Sequence, residues 1–380
     1  MLYFAAANLL FVFAVAAIVI WHGTSIRRLA AVEPDWTGDW PSVSIIAPAR
    51  NEARHIEEAV RSLMRLDYEP LQITLINDRS TDETGAILNR LAAEFPQLNV
   101  VHLETLPPGW LGKNHALQFG ADRSQGEWLL FTDADILFDP SCLRRAIAHA
   151  LREQLDMLVA FPETRMPSWI LKSFVATFSV FFMVFTRPWS VRNPSSGAHC
   201  GVGAFNLVRA AAYHRADGHR RLAMRPDDDL KLGKNMKLNG ARCDVIDGFG
   251  MLAVNWYGSL RELIVGLEKN SFAVLEYSPV AVVASSMALL AVNFFPFVGP
   301  LLWDGPASWL LGASAALQLI LSLGASKQLG YPLHVVLGYP LTVLLFVYIQ
   351  WRSMFLAFAR GGIQWRDTLY SLKELRANRV

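Results

Sequence analysis

Between residues 43 and 132 the chain alternates short apolar runs with segments of helical period. Val43-Ser44-Ile45-Ile46-Ala47 is apolar enough for a buried strand and stops at Pro48; Glu52–Arg65 then reads as a helix. Leu71–Ile76 is a second strand, ended by Asn77-Asp78, and Ser80 or Thr81 is placed to cap a helix over Glu83–Phe95. Leu98–Leu103 is a third strand, Lys113–Ser124 a helix, and Glu127–Thr132 a fourth strand ended by Asp133-Ala134-Asp135. Strands alternating with helices predict an α/β domain on a doubly wound, mostly parallel sheet. Polar residues gather past strands one, two and four, where open α/β sheets bind ligands. No internal repeat or low-complexity stretch interrupts the pattern.

Longer apolar segments flank this domain. Leu2–Trp21 carries no charge and can cross a hydrocarbon core of ~30 Å. A cleaved signal peptide would place positive charge ahead of the apolar run. Here Arg27 and Arg28 follow it, and Trp21 sits where an interfacial anchor belongs. Residues 1–21 therefore read as a transmembrane anchor that delivers the following domain to the cytoplasm. Pro279–Trp303, Ala307–Gly324 and Tyr331–Trp351 are three further candidates in a C-terminal membrane region, 279–351, ahead of a tail, 352–380. Three crossings would leave that tail outside. Its basic residues, Arg352, Arg360, Arg366, Lys373, Arg376 and Arg379, outnumber Asp367 and Glu374 and place it inside. One of the three segments is thus expected to be re-entrant or to lie flat. Trp169–Thr186 is also apolar but broken by Lys172. Crossing there would put two parts of one domain on opposite faces, so it reads as an interfacial helix.

Composition agrees with a soluble domain held between membrane segments. The chain is 53% hydrophobic and 18% charged with a net charge of +2, more apolar and less charged than a soluble protein. Divided by region, the charge is positive in the tail, near zero in the apolar segments and slightly negative in the middle. No basic field of the kind nucleic acid requires is present, and the apolar content excludes disorder. Cys142, Cys200 and Cys243 are odd in number and far apart, which fits a reducing compartment rather than a disulfide framework. No Cys/His spacing matches a zinc site.

Several polar groups can carry chemistry. Asp133 and Asp135, one residue apart at a strand end, can share a divalent cation that in turn holds a diphosphate; a turn with helix-capping acids explains the same pair. Asp78 can accept a hydrogen bond from a base ring N–H, and the helix after it can face phosphate. Gly112-Lys113-Asn114 opens the next helix and Lys113 can neutralise a phosphate, although the glycine spacing of a P-loop is missing. Asp227-Asp228-Asp229 precedes a helical apolar pattern ending at Gly240. These acids are either ordinary helix-start residues or include a general base.

Taken together, Ala49-Arg50-Asn51-Glu52, Asp78-Arg79-Ser80-Thr81-Asp82, Gly112-Lys113-Asn114, Asp133-Ala134-Asp135, Cys200-Gly201 and Asp228-Asp229 resemble membrane-bound glycosyltransferase family 2. The resemblance covers residues 40–275 and is nearest in pattern to the ceramide glucosyltransferase group and to hopanoid- or carotenoid-associated lipid glycosyltransferases. Gly361 to Tyr370 is similar to that group as well. The resemblance implies a GT-A fold and an inverting, metal-dependent hexosyltransferase using a nucleotide sugar, UDP-glucose by family habit, and a membrane lipid hydroxyl. It implies that Asp78 meets the nucleobase, that Glu52 lies beside the nucleoside, and that Lys113 lies near the nucleotide. Asp133 and Asp135 would hold the nucleotide and Mg2+ or Mn2+. Asp229 would be the base with Asp228 preceding it, and His199 and Cys200 would line the acceptor side. A bacterial inner membrane with a cytoplasmic catalytic domain is the implied location.

One departure matters. Where many relatives carry a Gln/Arg-x-x-Arg-Trp motif, this chain has Gly266-Leu267-Glu268-Lys269-Asn270. Lys269 supplies the charge without the arginine fork, and no neighbouring residue replaces the tryptophan, which argues against a processive polymerase. Trp256 and Tyr257 read as packing residues. Two other readings remain open: a polyprenyl-phosphate sugar transferase, for which Arg187 and Arg192 would matter, and a lipid flippase with a regulatory nucleotide-binding domain. Against the flippase, the C-terminal segments hold only Asp304 and Lys327 and no acid relay.

Overall fold

A computed structural model describes all 380 residues. The chain opens with α1 (Leu2–Gly23) and then alternates β1 (Val43–Ala49), α2 (Ile56–Leu63), β2 (Leu71–Asp78), α3 (Thr84–Glu94), β3 (Leu98–Leu103), α4 (Gly112–Ala121) and β4 (Trp128–Phe131). There follow β5 (Ile136–Phe138), α5 (Cys142–Arg152), β6 (Met157–Phe161), β7 (Glu163–Thr164), α6 (Trp169–Thr186), β8 (Asn206–Arg209) and α7 (Ala210–Arg215). Next come α8 (Asp228–Leu238), β9 (Cys243–Asp247), β10 (Leu252–Val254) and the helices α9 (Leu260–Val274), α10 (Pro279–Leu289), α11 (Phe295–Leu302), α12 (Pro306–Gln328) and α13 (Tyr339–Ala359). A hairpin of β11 (Gly362–Trp365) and β12 (Thr368–Ser371) and a short α14 (Leu372–Ala377) close the chain.

These elements form two compact units. The first is helical: Met1–Ser25, Met166–Thr186 and Trp256–Arg376. The second carries the sheet: Ile26–Arg165, Arg187–Asn255 and Ala377–Val380.

In the second unit seven strands run in the order β3-β2-β1-β4-β8-β6-β9. β1 pairs parallel with β2 and with β4, so Val43 is level with both Leu71 and Trp128. The expected parallel half is therefore present strand for strand. β8 is the exception: it runs antiparallel to β4 and to β6, while β6 and β9 are parallel to each other. Ile45, Ile46, Leu75, Leu130, Leu158 and Leu207 are completely buried, as strands covered on both faces demand. Trp128 is completely buried too, with the Arg209 guanidinium 4.7 Å from its ring centre.

The start of α3 differs from the sequence expectation. Asp82, not Ser80 or Thr81, accepts the Thr84 N–H at 3.0 Å. Ser80 and Thr81 are engaged elsewhere: the Asn51 N–H donates to Ser80 Oγ at 3.0 Å, and the Thr81 N–H donates to Asn51 Oδ1 at 2.8 Å. Two hydroxyl-bearing residues that look like caps are instead used to lock the loop after β2 to the loop after β1. Asn51 adopts a left-handed φ of 55°, and α2 consequently starts at Ile56, later than the pattern predicts.

In the helical unit five helical stretches are long and apolar enough to cross a membrane: Leu2–Gly23, Trp169–Ser190, Pro279–Leu302, Pro306–Gln328 and Leu333–Ala359. The chain on either side of α6 returns to one sheet, because β6 before it pairs with β8 after it. Both ends of α6 therefore lie on the same side of any bilayer. Leu171, Phe174 and Val175 of α6 are buried with Leu263 and Leu267 of α9 and Ile349 of α13. Between α10 and α11 a π-helical turn, Leu290–Phe294, breaks the regular bonding. The Asn8 amide donates to Ala291 O at 3.1 Å and that of Gln318 to Val292 O at 2.7 Å, supplying local partners for those carbonyls.

Candidate active site

The carboxyl ends of β1, β2 and β4 and the start of α8 contribute to one acidic cleft of the second unit. Its centre is Lys113, in the first turn of α4. The ammonium lies 2.8 Å from Asp133 Oδ1 and 3.8 Å from Asp228 Oδ2. Burial would lower the Lys113 pKa, but Asp133, Asp228 and Asp229 outweigh it and hold the group charged. Lys113, Asp133, Asp228 and Asp229, which the sequence separates by more than a hundred residues, are thus brought together. A small cavity beside them is lined by Lys113, Thr132, Gly203, Asn206, Asp228 and Asp229.

Asp133 and Asp135 follow β4 directly. The Asp133 N–H donates to Gly203 O at 2.9 Å, and the Thr132 hydroxyl donates to Ala204 O at 2.8 Å. The loop before β8 therefore sets the direction of this turn. A Cβ at Gly203 would overlap the Asp133 carboxylate, so a side chain here would displace the acid. Burial raises the Asp135 pKa to about 7, and the negative charges of Asp133 and Glu52 add to the shift. The Lys113 charge offsets this only in part. No three His, Cys, Asp or Glu side chains cluster to cage an ion. Magnesium is commonly held by one or two carboxylates, with substrate phosphates completing the shell. The donor set fits Mg2+ or Mn2+ bound together with a diphosphate.

Asp229 sits in the first turn of α8. Its Oδ1 accepts the Leu230 N–H at 2.7 Å. Burial raises its pKa, and Asp133 and Asp227 add to this against the lowering by Lys113 and the Leu230 N–H. A carboxylate moved upward is a better proton acceptor. The backbone of this turn is packed against the Cys200–Gly203 segment: a Cβ at Gly201 would collide with Asp229 O. Cys200 is buried and His199 partly so; the His199 ring donates to Gly197 O at 3.0 Å from Nδ1. Burial, then Lys234, Lys231 and Lys237, lower the His199 pKa.

Asp78 ends β2, and its carboxylate is 3% exposed. Arg79 grips it with both ends of the guanidinium, Nε to Oδ1 at 2.7 Å and Nη2 to Oδ2 at 3.1 Å, and Arg50 lies 3.8 Å away. Glu52 is placed by its own N–H, which donates to Thr84 Oγ1 at 2.8 Å. Lys269 belongs to the helical unit. Its ammonium lies 3.8 Å from the centre of the Trp365 ring, so a tryptophan does accompany it, from a hairpin nearly a hundred residues downstream.

Two supporting groups have no obvious signature in the sequence. Arg225 is buried and binds Asp227 through two bonds of 2.8 Å. The first acid of the triplet is therefore a counter-ion, which leaves Asp228 and Asp229 for the cleft. Asn114, beside Lys113, donates to Leu222 O at 2.6 Å and Arg225 O at 2.9 Å. It ties the approach to α8 onto α4. Arg-x-Asp ahead of a helix is the only trace of the first feature; nothing local marks the second.

Residues 44–214 match the family model described as glycosyl transferase family 2. Among curated proteins, a 4,4'-diaponeurosporenoate glycosyltransferase of Staphylococcus haemolyticus (strain JCSC1435) is 25% identical over 235 residues, 60% of each chain. That match spans less than two thirds of the relative. The protein of that name from Staphylococcus aureus (strain MRSA252) is 22% identical over 347 residues, 88% of this chain and 89% of the relative. Among solved structures, a mannosyltransferase from Pyrobaculum calidifontis in complex with GDP-Man and Mn2+ aligns with a TM-score of 0.56 at 18% identity. The alignment covers 94% of this chain and 98% of that one, and it shows a shared GT-A architecture.

Proposed function

From the match of residues 44–214 to glycosyl transferase family 2, we propose that this protein moves a hexose, with inversion, from a nucleotide-diphosphate sugar to a membrane lipid. The observation that carries the reading is Lys113 held between Asp133 and Asp228 with Asp229 adjoining. A cation flanked by the Asp-x-Asp turn and a basic carboxylate is what diphosphate departure and acceptor activation need at one place. Lys113 neutralises the diphosphate. Asp133 and Asp135 would hold Mg2+ or Mn2+, which when bound supplies further charge stabilisation to the leaving diphosphate. Asp78 and Glu52 face the nucleoside, and Arg79 must release the Asp78 carboxylate before a base N–H can use it.

Asp229 takes the proton of the acceptor hydroxyl. The acceptor oxygen bonds to the anomeric carbon from the side opposite the diphosphate, the carbon–oxygen bond to the diphosphate breaks, and the nucleoside diphosphate leaves with the electron pair. It needs no proton from an acid, unlike glycoside hydrolysis with its two carboxyls. His199 and Cys200 are assigned to the acceptor side, and Lys269 with Trp365 to the lipid-handling helical unit. UDP-glucose as donor rests on the motif resemblance.

The helices able to cross a membrane favour an amphiphilic acceptor. The relatives' name, a glycosyltransferase of a carotenoid acid, supports a long apolar acceptor and raises a carboxylate nucleophile beside the hydroxyl. A carboxylate or a polyprenyl phosphate is already ionised and would depend little on Asp229. The test is Asp229→Asn in membranes supplied with a panel of labelled nucleotide sugars and lipids. Transfer to a hydroxyl should be abolished while donor binding persists. Normal turnover onto a hydroxyl lipid would sink the assignment of the base, and the absence of any labelled lipid with the unaltered protein would sink the function.

A further inference from the structure

The helical unit holds a group of cations that the sugar-transfer reading does not use. Arg352 and Arg360, two turns apart near the end of α13, both point at Glu268 of α9, at 3.2 Å and 3.0 Å. One carboxylate thus serves two guanidinium groups, and neither arginine has another partner in the protein. The carboxylate offers roughly four lone-pair sites against ten N–H donors, so it cannot satisfy them all, and Arg352 Nε is buried without a hydrogen-bond partner. Both arginines are about one-third exposed, at 34% and 37%.

The place of this group in the fold is equally specific. α13 belongs to the stretch Leu333–Ala359, which is apolar enough for a bilayer, and Arg360 follows its last residue. Ser353, one residue after Arg352, donates to Glu268 O and accepts the Phe272 N–H at 3.2 Å, so α9 and α13 are fixed side by side here. α9 carries Arg261, Glu262, Glu268 and Lys269, and such a helix cannot sit in hydrocarbon. The charges therefore mark the level where apolar chain meets water. Trp365 on the adjoining β11 supplies the amphipathic ring expected at that level, and Leu369 on β12 is 55% exposed.

We propose that the end of α13 binds the anionic headgroup of a membrane phospholipid, with Arg352 and Arg360 donating to its phosphate in place of Glu268. The occupant is argued from charge and position together: surplus guanidinium donors match phosphate oxygens bidentately, and only a lipid brings phosphate to the mouth of an apolar helix. Glu268 keeps the arginines parallel and partly neutralised when no lipid is present. This site is independent of the sugar-transfer reading, because it is assayed by lipid retention.

The full chain is placed in nanodiscs of equal parts phosphatidylcholine and phosphatidylglycerol, released into the gas phase, and weighed with its retained lipids. The unaltered protein should retain phosphatidylglycerol over phosphatidylcholine by about thirtyfold, as two basic groups near an anionic surface give. Arg352→Gln with Arg360→Gln should abolish the preference. Lys373→Gln with Arg376→Gln, which removes equal charge from the tail, should keep it. Glu268→Gln leaves both guanidinium groups and removes their competitor, so retention should rise. That gain decides the matter if the double arginine variant does not fold. No preference in the unaltered protein, equal loss in the tail variant, no gain with Glu268→Gln, or displacement of the lipid by soluble glycerol phosphate would each overturn the proposal.

Discussion

Arg225→Met tests how the acidic helix is held. Arg225 is 1% exposed and Asp227 4%, and they share two bonds of 2.8 Å. Replacing the arginine by a side chain of similar length leaves the Asp227 carboxylate buried with only Lys231, at 3.9 Å, as counter-charge. Breaking one side of a buried pair costs roughly 3–5 kcal/mol. At about 2–4 °C per kcal/mol for a domain of some 200 residues, the midpoint of thermal unfolding should fall by roughly 10 °C. Adding Asp227→Asn removes the orphaned charge, and the double variant should recover more than half of that loss. The assay is a thermal scan of tryptophan emission on the full chain in detergent, run beside transfer activity. Because Asp227 immediately precedes Asp228 and Asp229, the single variant should also lose turnover well below its melting range. A single variant within about 2 °C of the unaltered protein, or a double variant no better than the single, would refute the argument that this pair is a buried clamp.

Three more outcomes follow from the cleft. Gly203→Ala should weaken binding of the nucleotide sugar by tenfold or more in calorimetry, because the added methyl occupies the place of the Asp133 carboxylate; unchanged affinity would mean that Asp133 does not touch the donor. Lys113→Met leaves Asp133 and Asp228 without their shared cation, and nucleoside diphosphate affinity should drop about tenfold with that of the free nucleoside unchanged. His219 is completely buried, and burial followed by the Lys113 charge pushes its pKa down to about 3. The unfolded chain binds that proton near pH 6.5, so the stability due to neutral His219 is complete above pH 6.5 and is lost as pH falls below it. From pH 6.5 to 5 the loss should be about 2 kcal/mol, and His219→Phe, which keeps the ring packing against Phe131, should show a smaller acid sensitivity in urea titrations.

The legible part of the fold was its first half. β1 to β4 carry continuous apolar runs closed by Pro48, Asn77-Asp78 and Asp133, and each appears within two or three residues of its expected bounds. The second half was opaque because its strands are short and arrive out of order. β8 has only four residues, Asn206–Arg209, and enters antiparallel beside β4, with partners that no local period can announce. Of the candidate site residues, Lys113, Asp133, Asp228 and Asp229 converge from a strand end and two helix starts. Its supports were not. Ser80 and Thr81 have the composition of caps, yet a long-range partner, Asn51, claims them. Arg225 in a sequence is one arginine among many, and only burial identifies it as a counter-ion. Trp365 could not be paired with Lys269 because the hairpin that presents it begins after the last apolar helix.

Topology is where charge and crossing count conflicted, and the contacts of the tail bear on both. Asn378 lies in the basic tail. Its Oδ1 accepts the Met224 N–H at 2.9 Å, and its Nδ2 donates to Arg221 O at 3.0 Å. Met224 and Arg221 belong to the sheet-bearing unit, and so do residues 377–380. The chain leaves that unit after Asn255 and re-enters it at Ala377, so an even number of crossings in between would keep the unit on one face of a bilayer. Three apolar stretches occupy that interval, and with all three crossing, the two ends of that unit would fall on opposite faces of a bilayer. Near its C-terminal end α13 is tied to the charged α9, through Arg352 and Ser353 on Glu268. Its buried Ile349 packs with α6, a helix whose two ends already lie on one side. α10–α11 and α12 are joined at Asp304, whose loop carries no Lys or Arg, the pattern expected of a loop on the outer face. The excess of positive charge in the tail is the electrostatic form of the same constraint.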